Sequence, residues 1–202
     1  MPKGLVFLLI SPSGAGKPYL IRRALDDFPG LCRFVTYTTR EPRDGEITGE
    51  DYHFVSRAEF DTLKGKGLLG EWQEFYGHFY GSSKSQLENF INNRTDAIAA
   101  YDVIGSKFLH DLFPTNVITI FVMPPSVETL RVRLIKRYGE NSTEGHLRLA
   151  RFELEMQYAS TFKYLVLNED LEGAFTEVKS IIIAEKCARR SEDYALRYQV
   201  TT

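Results

Sequence analysis

The feature that most constrains the fold is an apolar strand that runs directly into a glycine-rich loop and then a helix. Residues 5–10 are all apolar, which is typical of a parallel strand buried on both faces. The loop contains Gly14, Gly16 and Lys17, and we predict a helix over residues 18–28. Glycines adopt backbone angles that other residues resist, so successive N–H groups can turn inward around phosphate oxygens, assisted by the lysine and the helix N-terminus. This order predicts a phosphate-binding loop.

The loop departs from the phosphate-loop template G-x-x-x-x-G-K-[ST] at two positions. Ser11 stands at the first glycine and Pro18 at the final hydroxyl residue. Proline is acceptable in the first turn of a helix, because an N–H group there has no intrahelical partner. We therefore expect the fold to survive, with the loss of a hydroxyl that would hold Mg²⁺ and of one phosphate donor.

Strand and helix patterns alternate along most of the chain. Further strands are predicted at residues 33–37, 51–55, 69–75, 97–101, 117–122 and 164–167, and further helices at 57–64, 84–92, 126–138, 147–160 and 171–188. This alternation indicates an α/β fold with a parallel sheet covered on both faces. Residues 36–90 break the rhythm and are predicted to form an inserted lobe, and the polar segment 188–202 to form a frayed helix or a loose tail.

The charge balance excludes several classes of partner. The chain has 202 residues, with 25 Lys and Arg against 27 Asp and Glu, which argues against a nucleic-acid or polybasic membrane binder. Any positive charge for an anionic substrate must then be local.

Apolar runs are too short for a membrane span or a signal peptide, and two cysteines are too few for a disulfide framework. We expect a cytoplasmic protein, monomeric or homodimeric, with no nucleic acid or membrane as partner.

Motifs beyond the phosphate loop resemble the guanylate kinase family. They are T-T-R-x-P-R-x-G-E at residues 38–46, G-x-D-Y-x-F at 49–54, Glu71-Trp72, the segments 77–82 and 121–126, and 168–171. The resemblance covers about residues 4–187. It implies a P-loop kinase core (4–35 and 94–187) with a parallel sheet flanked by helices, an inserted nucleotide-monophosphate-binding lobe (about 36–90) and a short lid (about 138–147). The reaction that it implies is Mg²⁺-dependent transfer of the ATP γ-phosphoryl group to GMP.

The resemblance also implies a GMP site with chemistry that suits the ligand. Arginine forks match a phosphate dianion, and tyrosine hydroxyls can donate to the same group. The guanine edge presents N1–H and N2–H₂ donors, for which a carboxylate such as Glu71 is the best partner. The residues assigned to GMP in this way are Thr36, Arg40, Arg43, Tyr52, Glu71, Tyr80, Ser82 and Asp102.

For ATP the resemblance implies the phosphate loop, and for catalysis a set of cations with one carboxylate. The ATP set is Ser11, Pro12, Ser13, Gly14, Ala15, Gly16, Lys17, Pro18 and Asn168, although Asn168 could equally cap a helix. The catalytic set is Lys17, Asp102 and two lid arginines, Arg137 and Arg148. Mg²⁺ would be held by phosphates and water, with Asp102 as the candidate carboxylate. Arg131 and Arg133 are expected on a solvated helix face.

Three departures from the family pattern predict reduced turnover: Pro18, Ala100 at a carboxylate position and Ile104 at a glutamine position. The alternative function is a guanylate-kinase-like protein-interaction module that has lost catalysis. The retention of Gly14, Gly16, Lys17 and both lid arginines favours the enzyme. A P-loop kinase for another small phosphate is a third possibility, against which the set Arg40, Arg43, Tyr52, Glu71 and Tyr80 argues.

Overall fold

The computed structural model describes residues 3–12 and 14–198, without the side chains of 153 and 189–198. Its elements in chain order are β1 (Val6–Ile10), α1 (Lys17–Asp27), β2 (Leu31–Arg33), β3 (Thr36–Thr38), β4 (Tyr52–Phe54), α2 (Arg57–Gly65), β5 (Leu69–Phe75), β6 (His78–Ser83), α3 (Lys84–Asn92), β7 (Asp96–Tyr101), α4 (Val103–Leu112), β8 (Val117–Met123), α5 (Val127–Tyr138), α6 (Thr143–Gln157), a 3₁₀ turn (Ala159–Thr161), β9 (Tyr164–Leu167) and α7 (Leu171–Tyr198).

The core is a five-stranded parallel sheet in the order β2-β7-β1-β8-β9, which confirms the predicted fold class. All five residues of the central strand β1 are buried, because helices cover both faces. Phe7 and Leu9 point to a cluster with α1 and α7, whereas Val6 and Leu8 point to a cluster with α3 and α4. The parallel strands bring the loops that follow β1 and β7 to the same edge of the sheet.

A second sheet, in the order β4-β3-β6-β5, forms the lobe. The single strand predicted at 33–37 is wrong: β2 ends at Arg33 in the core sheet, and β3 begins at Thr36 in the lobe sheet. No glycine or proline separates the two strands, so the sequence pattern looks continuous. Strand β6 and helix α4 were missed as well, because β6 is rich in serine and glycine and α4 contains Gly105.

The C-terminal helices differ from the prediction at their ends. Helix α6 begins at Thr143, capped by the Ser142 side chain, so the connection between α5 and α6 is four residues long, 139–142. Helix α7 continues to Tyr198, through most of the segment expected to be a frayed helix or a loose tail, and residues 199–202 lie outside the described part of the chain. None of the helices described here combines the length and the hydropathy needed to cross a bilayer.

Candidate active site

A cleft of about 690 Å³ opens at the carboxyl edge of the core sheet, between the lobe sheet and helices α5 and α6. This volume is in the range of small-molecule sites. The cleft brings together most residues that the sequence assigned to nucleotide binding: Ser11, Pro12, Gly14, Ala15, Gly16, Lys17, Pro18, Thr36, Arg40, Arg43, Tyr52, Glu71, Tyr80, Asp102, Arg137 and Arg148. Ser82 and Asn168 are buried behind this lining, and Ser13 lies outside the described residues.

The phosphate loop has the backbone that its glycines allow. Gly14 and Gly16 adopt φ values of +95° and +97°, and a Cβ on Gly16 would lie 2.5 Å from the Asn168 side-chain nitrogen. Helix α1 begins at Lys17, directly after Gly16, and Pro18 occupies its first turn as expected. Within the described residues no side chain caps this helix, so its free N–H groups remain available to an anion.

Lys17 turns back onto the loop. Its Nζ donates to the Ser11 carbonyl at 2.6 Å and to the Ser11 hydroxyl at 2.7 Å. Burial lowers the pKa of Lys17 to about 8, against the opposing attraction of Glu155 and Asp102. The serine at the template's first glycine therefore holds the lysine, and an incoming phosphate has to compete with it.

Asn168 supports the phosphate loop from behind. Its Nδ2 donates to the Ala15 carbonyl at 2.6 Å, and the side chain is fully buried. The cap of helix α7 is Asp170, whose Oδ1 accepts from the Gly173 N–H at 2.7 Å. The helix-cap alternative for Asn168 is therefore wrong, and its direct contact is with the loop backbone.

Glu46 orients the two arginines of the lobe. Its carboxylate binds both terminal nitrogens of Arg40, at 2.8 and 2.9 Å, and accepts from the Arg43 backbone N–H at 2.8 Å. Burial opposes ionisation of Glu46, but the hydrogen bonds from Arg40 and Arg43 outweigh it and lower the pKa of this carboxyl. The sequence prediction missed this residue, although it is the last letter of T-T-R-x-P-R-x-G-E.

The base-reading candidates meet where the lobe sheet faces the end of β7. Strand pairing places Glu71 of β5 opposite Ser82 of β6, and Tyr101 at the end of β7 lies beside both. Burial, followed by the nearby Asp102 carboxylate, raises the pKa of Glu71 to about 7. The hydroxyls of Ser82 and Tyr101 are buried beside this carboxylate, and both oppose the rise in its pKa.

Asp102 caps helix α4 and faces the cleft. Its Oδ1 accepts from the backbone N–H groups of Ile104 and Gly105 at 2.8 and 3.0 Å and from Gln73 Nε2 at 3.2 Å. The prediction that Ile104 removes a polar contact from the site is wrong, because its side chain is 59% exposed and outside the cleft lining. Ala100, by contrast, does line the cleft.

The donor set suits a magnesium ion held largely by a substrate. The described residues contain no group of three or more His, Cys, Asp or Glu side chains arranged to hold a metal. Mg²⁺ bound to nucleotides needs only one or two carboxylates besides phosphates and water. Asp102 offers that carboxylate, since only its Oδ1 is used in capping α4. The residues present therefore fit the ion.

Helices α5 and α6 bring four arginines to the cleft, Arg133, Arg137, Arg148 and Arg151. The expectation of a solvated Arg133 is wrong, because its Nη1 donates to the Gly14 carbonyl at 3.2 Å. Arg151 and Glu155, which pair at 2.9 Å, were not predicted. Their spacing of three and seven residues from Arg148 places them on one helix face, and this periodicity was the available signal.

Comparisons with known proteins agree with this geometry. A family model described as guanylate kinase matches residues 3–185. The chain is 40% identical over 195 residues to a guanylate kinase of Myxococcus xanthus (96% of this chain, 92% of the relative), and 37% identical over 187 residues to one of Wolbachia sp. subsp. Brugia malayi (93% and 96%). The crystal structure of guanylate kinase from Anaplasma phagocytophilum superposes with a TM-score of 0.74 at 30% identity, covering 92% of this chain and 87% of that one.

Proposed function

The chain belongs to the guanylate kinase family, and from that premise we propose how its own residues transfer the γ-phosphoryl group of ATP to GMP, giving ADP and GDP. The observation that carries the proposal is a cleft in which a phosphate loop, an arginine pair oriented by Glu46 and the Glu71 carboxylate meet. This arrangement supplies one site for each nucleotide and a shared space for the transferred group.

GMP occupies the lobe side of the cleft. Arg40 and Arg43, oriented by Glu46, bind the 5′-phosphate together with the hydroxyls of Tyr52 and Tyr80. The Glu71 carboxylate accepts from the N1–H and N2–H₂ groups of guanine. The remaining proposed GMP contacts come from the smaller polar side chains at the cleft and behind it, Thr36, Ser82 and Asp102.

ATP binds on the phosphate loop. The residues proposed to hold its phosphates are Ser11, Pro12, Ser13, Gly14, Ala15, Gly16, Lys17 and Pro18. Free N–H groups at the start of α1 and the Lys17 ammonium supply the positive field. Asn168 acts through its bond to the Ala15 carbonyl, which holds the loop in shape.

Catalysis rests on positioning and charge. Lys17, Arg137 and Arg148 line the cleft and stabilise the charge that develops on the migrating phosphoryl group. No general base is needed, because the attacking phosphate oxygen of GMP is already ionised. Mg²⁺, when bound with ATP and Asp102, neutralises charge on the β- and γ-phosphates.

Reduced turnover follows from Pro18 and Ala100, which both line the cleft. Proline offers neither a hydroxyl to the metal nor an N–H group to a phosphate. Alanine removes a carboxylate from the metal and substrate side of the site. We place the reaction in the cytoplasm, where the free thiols Cys32 and Cys187 would stay reduced, with a monomer or homodimer as the working form.

A coupled assay of ADP release with GMP, AMP, CMP and UMP tests the proposal. We expect turnover with GMP far above the other three nucleotides, because Glu71 pairs only with the guanine edge. Binding of GMP measured by calorimetry on the same preparation separates recognition from catalysis. Tight GMP binding without detectable turnover would contradict the enzyme and favour the protein-interaction module.

A further inference from the structure

The hairpin that joins β5 to β6 carries a tyrosine at a position where a small residue is expected. Phe75 pairs with His78, so the loop is Tyr76-Gly77, and these two residues have φ values of +54° and +77°. Two positive φ values in succession are typical of a type I′ turn, whose first position favours asparagine, aspartate or glycine. For a bulky residue this conformation is strained, because its Cβ lies close to the following carbonyl oxygen. The geometry of the turn therefore does not explain the tyrosine.

The Tyr76 ring faces the helix that carries Arg148. It lines the nucleotide cleft, and the central guanidinium carbon of Arg148 lies 4.4 Å from the ring centre. The neighbouring Phe75 ring lies 4.0 Å from the guanidinium carbon of Arg151, about one turn further along α6. Successive residues of an extended strand point to opposite faces, so the turn conformation at Tyr76 allows both rings to meet the same helix. The strained residue therefore lies at a functional contact.

An aromatic ring suits Arg148 better than a second carboxylate would. Glu144, about one turn earlier on α6, already binds the guanidinium group at 2.6 Å. The face of a ring attracts the cation electrostatically, yet it brings no negative charge to the cleft and leaves the guanidinium positive. A further carboxylate at this place would repel a phosphoryl group. The Tyr76 ring can therefore orient the cation without opposing the substrate.

We propose that Tyr76 is a positioning residue for phosphoryl transfer, whose ring holds the Arg148 guanidinium at the place of the migrating group. The inference rests on the proposed function, since it assumes that Arg148 stabilises that group. Tyr76 belongs to the GMP lobe and Arg148 to α6, so the contact forms only while the lobe and the helix lie together. The ring thereby links the placement of a catalytic cation to the closed cleft.

The variants Tyr76→Leu and Tyr76→Phe in the full chain test the role of the ring. Leucine keeps apolar bulk but has no π face, so we expect kcat with GMP to fall about tenfold, while KM for GMP and for ATP each changes by less than about twofold. Phenylalanine keeps the ring face and should retain the wild-type kcat. Trp72→Leu is the matched control and should leave kcat unchanged, because Trp72 lies on the same strand and contacts Lys64 at 3.5 Å, outside the cleft lining.

A double-mutant cycle identifies the partner of the ring. In an Arg148→Ala background, Tyr76→Leu should have no further effect on kcat, because the group that the ring positions is gone. Tyr76→Asn, which introduces a residue favoured in this turn, measures the strain. We expect its Tm to equal or exceed that of the wild type, while its kcat falls as in Tyr76→Leu.

Four results would overturn the inference. Equal losses of kcat from Tyr76→Leu in the wild-type and Arg148→Ala backgrounds would show that the ring does not act through Arg148. A raised KM with unchanged kcat would place the ring against a nucleotide instead. Unchanged kcat in both Tyr76→Leu and Tyr76→Asn would make the ring a structural part of the lobe. A wild-type protein that binds GMP and ATP without turnover would refute the proposed function itself, and with it the premise about Arg148.

Discussion

At the scale of single residues, three arginines of the cleft are oriented by carboxylates of the chain itself. Arg40 is paired with Glu46 at 2.8 Å, Arg148 with Glu144 at 2.6 Å and Arg151 with Glu155 at 2.9 Å. Aromatic rings also help to orient these arginines, since the Arg148 guanidinium lies 4.4 Å from the Tyr76 ring centre. Pre-oriented side chains lose less conformational entropy on binding a phosphate, which favours catalysis by positioning.

Pro18 offers the most direct test of turnover at this scale. We expect Pro18→Thr to raise kcat by about tenfold, or about 1.4 kcal/mol in the barrier, because a hydroxyl and an N–H group return to the metal and phosphate site. Initial rates over a range of Mg²⁺ concentrations measure this effect. Pro18→Ala is the control, since it restores the N–H group without the hydroxyl. If kcat and its Mg²⁺ dependence stay unchanged in Pro18→Thr, the explanation given for Pro18 is incorrect.

Glu71 sets a second prediction. Glu71→Gln should weaken GMP binding by roughly 10- to 100-fold and leave ATP binding unchanged, because the amide cannot accept hydrogen bonds from both guanine donors. The same change should raise Tm at pH 8, since it removes a buried charge close to Asp102. Calorimetry and thermal unfolding measure the two effects. Glu74→Gln, at an exposed position of β5, is the matched control. If Glu71→Gln weakens GMP binding and ATP binding equally, Glu71 does not read the base.

At the scale of elements, the phosphate loop depends on segments that are distant in the chain. Asn168, just after β9, donates to the Ala15 carbonyl, and Arg133 of α5 donates to the Gly14 carbonyl. The lobe loop is organised from within, by Glu46 and its bonds to Arg40 and Arg43. Each substrate loop therefore has its own support, one long-range and one local.

The local support of the lobe loop predicts a pH dependence of stability. The pKa of Glu46 is lowered by folding, so its stabilising effect is complete above its unfolded value of 4.5 and disappears as the pH falls through the folded value. We expect Glu46→Gln to cost about 1 kcal/mol at pH 7, and the cost to shrink below about pH 4.5. Urea unfolding from pH 3.5 to 7 measures it, with the exposed Glu50→Gln as control. A cost that is constant over this range would contradict the ion-pair explanation.

At the scale of the whole molecule, a nearly neutral chain concentrates its positive charge in one place. The formal net charge is −2, yet arginines from the lobe and from α5 and α6 converge on the same cleft. The two sides also touch: Arg43 Nη2 of the lobe donates to the Tyr138 hydroxyl of α5 at 2.8 Å, and Phe75 of the lobe stacks on Arg151 of α6. These contacts bridge the mouth of the cleft.

The bridge across the cleft gives the prediction for the whole molecule. Tyr138→Phe removes the hydrogen bond to Arg43 and keeps the ring that Arg148 contacts at 5.0 Å. We expect amide hydrogen exchange in residues 139–146 to become severalfold faster in the free protein, because the lobe no longer restrains this end of α5. Exchange of these amides should slow again when GMP and an ATP analogue bind together. Tyr158→Phe, at an exposed position, is the control. Equal exchange rates of these amides in the two variants would contradict a bridging role for Tyr138.

Much of this architecture was predictable because its signals are local. The strands 69–75 and 164–167 and the helix 84–92 were placed at their observed ends, since alternation, apolar runs and flanking turns mark them. The phosphate loop was predicted with its proline in the first helical turn. Helix α4 was missed because it contains Gly105, and the division of 33–37 between two sheets was missed because strand partners distant in the chain determine it.

The sequence by itself determined the phosphate loop, the α/β class and the family, since these depend on residue types at fixed short spacings. The tertiary structure alone decided which side chains share the cleft and what holds them. It placed Arg133 in the cleft, left Ile104 outside it, and set the Tyr101 side chain beside Glu71. Burial and contact join residues that are far apart in the chain, so no pattern of neighbouring residues encodes them.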